Sequence, residues 1–392
     1  MKYHRIYPKY KNSVLLLGPR GTGKSTYIKE YIKPDFTIDL LKTSTFRELL
    51  KNPSLIEEMI AHVPEGRIVF IDEIQKIPDL LNEVHRLIEN RKIKFILTGS
   101  SARKLKKQGV NLLAGRAIHQ KFFPLSIFEI AHKKTIDSIF FTGTLPYALN
   151  LDSKNDVNDF LFSYVESYLK EEVFQEGLSR NLAEFTYFLE IAGQYHGQII
   201  NFENIAREVG KSGETVKSWF QILKDTLIGD FVEPYQLNIN AKETKHNKFY
   251  FFDNGVARAA SGVKTLEEVS EKKGFYLESL ILNELKIYRE VKKMNYQIYF
   301  YNVSNKGDVD FIIETKKKTL SAPSEFITIE VKNTKKWSTN FSSLQNEILT
   351  ELPKRCRKNI SVYRGDLRLS QKNVEILPLE LFIELLWKGK LL

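Results

Sequence analysis

Over roughly the first 120 residues, short apolar runs alternate with stretches in which apolar side chains recur every three or four positions. Runs bounded by polar and turn residues read as buried strands at 13–17, 36–38, 67–71, 93–98 and 117–123. Between them, 24–32 and 79–89 read as helices, the second placing Leu80, Val84, Leu87 and Ile88 on one face. This alternation predicts an α/β, doubly wound, mostly parallel sheet covered by helices. From Leu125 to about Arg180 the strand signal stops. Phe160, Tyr164, Val165, Tyr168 and Leu169 then follow helical spacing and predict a helical lid.

The punctuation changes again near residue 182. Asn201 can cap a helix over 202–209, Gly210 and Lys211 turn the chain, and Ser212 can cap a second helix through Leu223. Two apolar segments follow, 231–237 and 248–252, separated by the polar stretch 238–247. Together these predict a helix-turn-helix with a β-hairpin wing, a winged-helix domain. Its second helix would bury Val216, Phe220 and Leu223 and expose Lys217, Gln221 and Lys224, a face suited to a DNA groove or to a protein partner. Beyond it, a helix at 274–291 leads to strands at 297–303, 309–314 and 326–332. The tail adds a helix at 343–352, a strand near 360–363 and a helix near 380–388. The domain division is therefore 1–124, 125–181, 182–255 and 256–392.

A chain of 392 residues with 42% hydrophobic and 27% charged positions suits several ordinary globular domains. Its one cysteine, Cys356, reads as a structural thiol in a reducing compartment. No apolar stretch approaches eighteen residues, so the expectation is a soluble cytoplasmic protein with no membrane segment. The net charge of +11 is concentrated at one end. Residues 1–150 hold 25 Lys or Arg against 14 Asp or Glu, whereas 151–392 hold 34 of each. Between Asn90 and Phe128 nine basic residues meet no acid, Arg103, Lys104, Lys106 and Lys107 among them. Such a run can follow a nucleic-acid backbone or form a solvated face.

Gly18-Pro19-Arg20-Gly21-Thr22-Gly23-Lys24-Ser25, with Thr26 next, satisfies G-x-x-x-x-G-K-[ST] between a predicted strand and a predicted helix. In that setting successive backbone N–H groups curl around phosphates, Lys24 reaches the β and γ phosphates, and the Ser25 hydroxyl ligates Mg2+. ATP is the expected ligand. The apolar strand Ile68-Val69-Phe70-Ile71 ends in Asp72 and Glu73, the Walker B pattern. Asp72 would hold the metal through water and Glu73 would polarise the attacking water. The next strand ends in Thr98-Gly99-Ser100-Ser101, so Thr98, with Ser100 as the alternative, stands where a γ-phosphate sensor belongs.

These elements in this order resemble the AAA+ ATPases. VFIDEIQKIPDLL, ILTGSS, LLAGR and FPLSIFE look more narrowly like a prokaryotic family of AAA+ ATPases with a nuclease-like C-terminal domain of uncharacterised function. The resemblance implies hydrolysis of ATP to ADP and phosphate. It also implies an arginine finger at Arg116, acting in cis or in trans within a homo-oligomer. Relatives usually carry Gly-Gly-x-Pro in the lid, where this chain has Gly143-Thr144-Leu145-Pro146.

In KGDVDFIIE, Asp308 and Asp310 point to one face of a strand, and in FITIEVKN, Glu330 and Lys332 do the same. Glu278, on the preceding helix, can approach from the side. The pattern resembles the PD-(D/E)xK nuclease fold, which implies Mg2+ or Mn2+ on Glu278, Asp310 and Glu330, with Lys332 assisting the chemistry and Asp308 as a spare. The seven histidines are scattered, and neither His196 nor His246 has a metal-spaced partner. Two functions remain open. One is an ATPase that drives the C-terminal domains on DNA; the other is a nucleotide-controlled docking switch without nuclease activity.

Overall fold

A computed structural model describes residues 3–100, 113, 115–169, 182–239 and 242–392. The five strands expected in the N-terminal part are β1 (Val14–Leu17), β2 (Phe36–Asp39), β3 (Ile68–Asp72), β4 (Lys94–Gly99) and β5 (Ile118–Lys121). All pair in parallel, in the order β2-β3-β4-β1-β5. Helices α1 (Lys24–Tyr27, continued by a π-helical turn), α2 (Thr43–Lys51), α3 (Leu55–Met59) and α4 (Leu80–Arg91) cover it. Strand alternation sorts the sheet's side chains into two cores. Leu15, Ile71 and Leu97 pack with Leu49, Leu80 and Val84 on one face. Val14, Leu16, Phe70 and Ile96 pack with Tyr27 and Phe122 on the other. The chain leaves β1 for the far edge and returns, so a cleft opens at the C-terminal end of β1.

The expected lid comprises α5 (Ile127–Ile130), α6 (Ile136–Thr142), α7 (Pro146–Leu149) and α8 (Lys154–Ser163). Each starts with a local signal: a Ser126–Glu129 capping box, Thr135, Pro146 at the first turn, and Ser153. Next come α9 (Leu182–Gln194), β6 (Gln198–Ile199), α10 (Phe202–Val209), α11 (Gly213–Asp225), β7 (Gly229–Pro234) and β8 (Lys248–Phe251). Asn201 Oδ1 accepts from the backbone N–H groups of Glu203 and Asn204, Gly210 turns the chain at φ 65°, and Ser212 accepts from Thr215. Lys217, Gln221 and Lys224 are exposed on α11, while Val216, Phe220 and Leu223 are buried.

The hairpin is not a free-standing wing. β7 pairs in parallel with β9 (Gln297–Val303) at Glu233↔Tyr299 and Pro234↔Phe300. Through that pairing one nine-stranded sheet runs in the order β13-β14-β12-β11-β10-β9-β7-β8-β6. Its remaining strands are β10 (Gly307–Lys316), β11 (Glu325–Lys332), β12 (Cys356–Tyr363), β13 (Leu369–Gln371) and β14 (Val374–Pro378). The expected boundary at 255/256 is therefore crossed by continuous hydrogen bonding, because β7 satisfies an edge that β9 would otherwise expose.

One hydrophobic core takes in Tyr3 and extends from Leu125 in the lid to Leu391. Its centre is α12 (Asn254–Ala260), in which all seven residues are buried. The joint between lid and α12 is a buried carboxylate. Asp253 Oδ1 accepts from Val256 N (3.0 Å), and Oδ2 accepts from Thr144 N (2.6 Å) and Thr144 Oγ1 (2.9 Å). Arg258, fully buried, donates to Phe141 O (2.8 Å), Asn158 Oδ1 (2.8 Å) and Val263 O (2.7 Å) and lies over the Phe141 ring. At the rim, Asp137 of α6 pairs with Lys273 and Arg364. His196 serves the same region: Nδ1 accepts from Phe251 N and Nε2 faces Asn254 Oδ1.

Gly143 has φ +76°, and a Cβ there would sit 2.2 Å from Asp253 Oδ1. Gly143→Ala is therefore expected to destabilise the chain by about 2–4 kcal/mol, from backbone strain and overpacking together. A denaturant-unfolding midpoint unchanged from wild type would contradict this role for the joint.

Candidate functional site

The glycine loop after β1 is shaped by close approach. A Cβ at Gly18 would lie 2.0 Å from Phe122 O, and Gly21 and Gly23 take φ +75° and +89°. These positive angles suit residues without Cβ and let the loop curl over the start of α1. Thr22 Oγ1 closes the curl by donating to Pro19 O at 2.9 Å. Lys24 is buried, its ammonium donating to Gly18 O (2.7 Å) and Pro19 O (2.9 Å). It thus stands across the loop mouth.

The ends of β3 and β4 meet this loop. Ser25 Oγ donates to Asp72 Oδ1 at 3.0 Å, and Thr98 Oγ1 donates to the same oxygen at 2.5 Å. Thr98 Oγ1 also accepts from Glu73 N at 3.2 Å. Glu73 is buried and holds the left-handed conformation at φ 62°, which is uncommon outside glycine and asparagine. Its carboxylate accepts from the Gln75 amide, which also donates to Ser100 Oγ at 2.9 Å. Thr98 thus touches Asp72 and the Glu73 backbone directly, whereas Ser100 reaches Glu73 through Gln75.

A cavity of about 450 Å³ lies beside the loop, between Arg20, Ser25, Thr26 and Glu73 on one side and Pro146, Tyr147 and Asn150 of α7 and its end on the other. The lid reaches this cavity through Pro146, Tyr147 and Asn150, while Thr144 turns its polar groups to Asp253. Arg5 was not singled out by the sequence pattern. Its buried guanidinium donates to Glu129 Oε1 (2.9 Å), Thr22 O (2.8 Å), Phe123 O (2.8 Å) and Pro124 O (3.2 Å), and it stacks on Phe122. One side chain ties the loop to the segment that follows β5 and to the first lid helix.

Residues 10–131 match the family model described as an AAA domain. That segment is similar to AAA-type ATPase domains. Residues 133–267 and 273–382 match two domains of unknown function, DUF8612 and DUF4143. An uncharacterized protein of Mycobacterium tuberculosis is 24% identical over 312 residues, spanning 77% of this chain and 67% of that one. One of Methanocaldococcus jannaschii is 22% identical over 334 residues, spanning 78% and 73%. Among solved structures, the Orc1 protein of Aeropyrum pernix in complex with DNA is 13% identical (64% of this chain, 86% of that chain, TM-score 0.26). C. elegans PCH-2 is 15% identical (55%, 61%, TM-score 0.24).

Arg116 lies at the other end of the ATPase sheet. It precedes Ile118, which pairs with Val14 at the start of β1, so it stands about 20 Å from the loop at roughly 3.3 Å per strand residue. Its Nε meets Glu89 Oε1 at 2.5 Å. β5 runs from Arg116 toward the loop, parallel to β1, so this arginine and its own loop stand at opposite ends of the sheet. The basic cluster Arg103, Lys104, Lys106 and Lys107 lies outside the described residues. Among the described residues, no helix is long and apolar enough to cross a membrane.

The C-terminal carboxylates also converge, with an unexpected side chain among them. Antiparallel pairing at Phe311↔Ile329 brings Asp310 beside Glu330, and Asp310 Oδ2 accepts from Val331 N at 2.7 Å. Lys332 pairs with Glu330. Lys248 of β8 reaches Glu278 Oε1 (2.9 Å), Asp308 Oδ2 (2.9 Å) and Asp310 Oδ1 (3.9 Å), and the Tyr250 hydroxyl donates to Glu278. Burial, followed by the charges of Glu330, Glu278 and Asp308, pushes the Asp310 carboxyl well above the usual range. Burial likewise raises Glu330 to about 7, against the pull of Lys332. Burial would raise Asp308 too, but Lys248 holds it below the ordinary value.

Among the described residues, no three His, Cys, Asp or Glu side chains are grouped so as to hold a metal ion. An ammonium stands where the nuclease resemblance implies a cation. Lys248 and Tyr250 were missed because they sit in the hairpin; the clue is that they alternate on one face of K-F-Y-F.

Arg5→Ala would strand a buried carboxylate and three carbonyls. It is expected to cost roughly 3–5 kcal/mol and to weaken ATP binding at least about tenfold, with Arg5→Lys restoring neither, since one ammonium cannot span all four acceptors. Wild-type unfolding and wild-type nucleotide titration in Arg5→Ala would contradict this.

Proposed function

We propose that the chain binds ATP with Mg2+ in the cleft at the end of β1 and hydrolyses it, coupling turnover to a winged helix and a PD-(D/E)xK-like C-terminal unit that act on DNA. The reading divides the chain into an ATPase core at 1–124, a lid at 125–181, a winged helix at 182–255 and a nuclease-like unit at 256–392, and assigns it to the cytoplasm. The observation that carries it is the meeting of Lys24, Ser25, Asp72, Glu73 and Thr98 in one cleft.

In this mechanism the loop N–H groups from Gly18 to Thr26 cradle the phosphates, and Lys24 exchanges its carbonyl partners for phosphate oxygens. The Ser25 hydroxyl and Asp72 carboxylate, 3.0 Å apart, form the oxygen-rich pair that suits Mg2+ with retained waters. An ion held by these two groups would supply neutralisation of phosphate charge. Glu73 accepts a proton from the attacking water, and the Gln75 amide orients its carboxylate. Thr98 links the metal ligand to the Glu73 backbone, so displacement at the γ phosphate reaches the base. Arg116 supplies charge stabilisation in trans, from a second copy in a homo-oligomer. DNA would meet the exposed face of α11 and the basic stretch at 90–128.

A second reading is favoured by Lys248, which compensates the C-terminal carboxylates from within the chain. In it the C-terminal unit is a nucleotide-controlled docking module without nuclease activity.

Lys24→Ala is expected to lose tight ATP binding, and Glu73→Gln to retain ATP while turning over at least roughly tenfold more slowly. Undiminished hydrolysis by Glu73→Gln would remove the assignment. Running the same assay with single- and double-stranded DNA separates the two readings: stimulation supports action on DNA, and an active ATPase indifferent to DNA supports docking.

A further inference from the structure

We infer that the ammonium of Lys248 is the resident cation of the C-terminal carboxylate cluster, so that the chain takes no divalent ion there unless β8 withdraws it. This inference rests on the nuclease-like reading of Glu278, Asp310 and Glu330, and it changes what that reading implies.

The geometry leaves one position for a cation among Glu278, Asp308 and Asp310, and Lys248 fills it. Two carboxylate oxygens lie 2.9 Å from Nζ and a third lies at 3.9 Å. A divalent ion would need oxygens at roughly 2.0–2.6 Å around the same point, which an ammonium at hydrogen-bonding distance excludes. The acceptors are also engaged elsewhere. Tyr250 donates to the Glu278 oxygen that Lys248 uses, and the Val331 N–H holds the second oxygen of Asp310. Lys332 compensates Glu330 in parallel. Two lysines therefore meet these four carboxylates.

Lys248 cannot leave by rotating its side chain. That side chain is 4% exposed, and its ammonium lies 5.2 Å from the centre of the Phe300 ring. Its backbone is flanked on both sides, opposite Val232 in β7 and Ile199 in β6. Withdrawal of the ammonium requires movement of the strand. That strand belongs to the hairpin that follows α11, and Phe220 of α11 packs on Phe231 and Phe249 of the hairpin. A partner that shifts α11 therefore acts on the strand carrying the ammonium. The arrangement is a latch that keeps the carboxylates compensated until the hairpin moves.

The test is Mn2+ binding to the full chain, without nucleotide and in a Ser25→Ala background so that the ATP site contributes nothing. Electron paramagnetic resonance of the unbound ion is the readout. The chain with Lys248 intact is expected to bind no stoichiometric Mn2+ below about 1 mM, and Lys248→Met to bind one ion at least about tenfold more tightly. Asp310→Asn added to Lys248→Met should abolish that binding, and Lys248→Arg should behave like the parent. Equal, stoichiometric binding by the parent and Lys248→Met would overturn the latch while leaving the nuclease-like reading in place. No binding by either folded protein would overturn both. Should Lys248→Met fail to fold, the parent decides alone: stoichiometric Mn2+ binding lost on Asp310→Asn overturns the latch, and an unfolding midpoint unmoved by about 10 mM Mn2+ supports it.

Discussion

The carboxylate of Asp253 is the constraint from which the arrangement of the molecule follows. Wholly buried, it is held by the backbone N–H groups of Val256 and Thr144 and by the Thr144 hydroxyl, so it caps α12 and grips the lid in one step. Burial raises its carboxyl above the usual range, and the donors work against that shift. Because Gly143 has no room for a side chain, the lid closes onto this oxygen at backbone distance. Arg258 and Asp137 extend the joint to either side. Lid, helix pair and one face of the C-terminal sheet consequently share a core that also takes in Tyr3, while the other face of that sheet has a core of its own and the ATPase sheet is packed on its two faces by two more, one of them against Val291. The cavity beside the glycine loop lies along the boundary, with that loop on one wall and α7 on the other. Arg5 is bonded across that boundary to Thr22 and Glu129.

Electrostatics divide the two acidic sites in opposite ways. In the ATPase cleft, Asp72 and Glu73 are held by hydroxyl and amide donors, and the cation Lys24 stands over loop carbonyls that a phosphate can replace. That site is arranged around chemistry that a ligand completes. In the C-terminal sheet the carboxylates are met by lysines of the same chain, one of them contributed by a hairpin that the sequence pattern assigns to another domain. Similar residue types thus support an external ligand in one place and an internal contact in the other.

What was legible in the sequence was local. The five parallel strands, the glycine loop, the caps at Asn201 and Ser212 and the alternation of Asp308, Asp310, Glu330 and Lys332 depend on neighbours within a few positions, and their spacing declares them. The α12 helix escaped because N-G-V-A-R-A-A begins with a turn dipeptide and, being buried all round, shows no amphipathic period. The fusion of β7 to β9, the reach of Arg5 and the place of Lys248 depend on pairings more than fifty residues apart. No periodicity encodes them. Arg116 is intermediate: its motif was visible, but its distance from its own loop follows from strand order alone.

The claim that lid and C-terminal sheet form one body against the ATPase sheet is tested most directly by spin-label distances between exposed positions: Lys51 on α2, Lys154 on α8 and Lys354 before β12. Labels introduced in pairs would be measured in Glu73→Gln with and without ATP. Both distances from Lys51 are expected to shift with nucleotide while the Lys154–Lys354 distance stays fixed. A Lys154–Lys354 distance that changes with ATP would contradict it, since the lid would then be moving on the C-terminal body rather than with it.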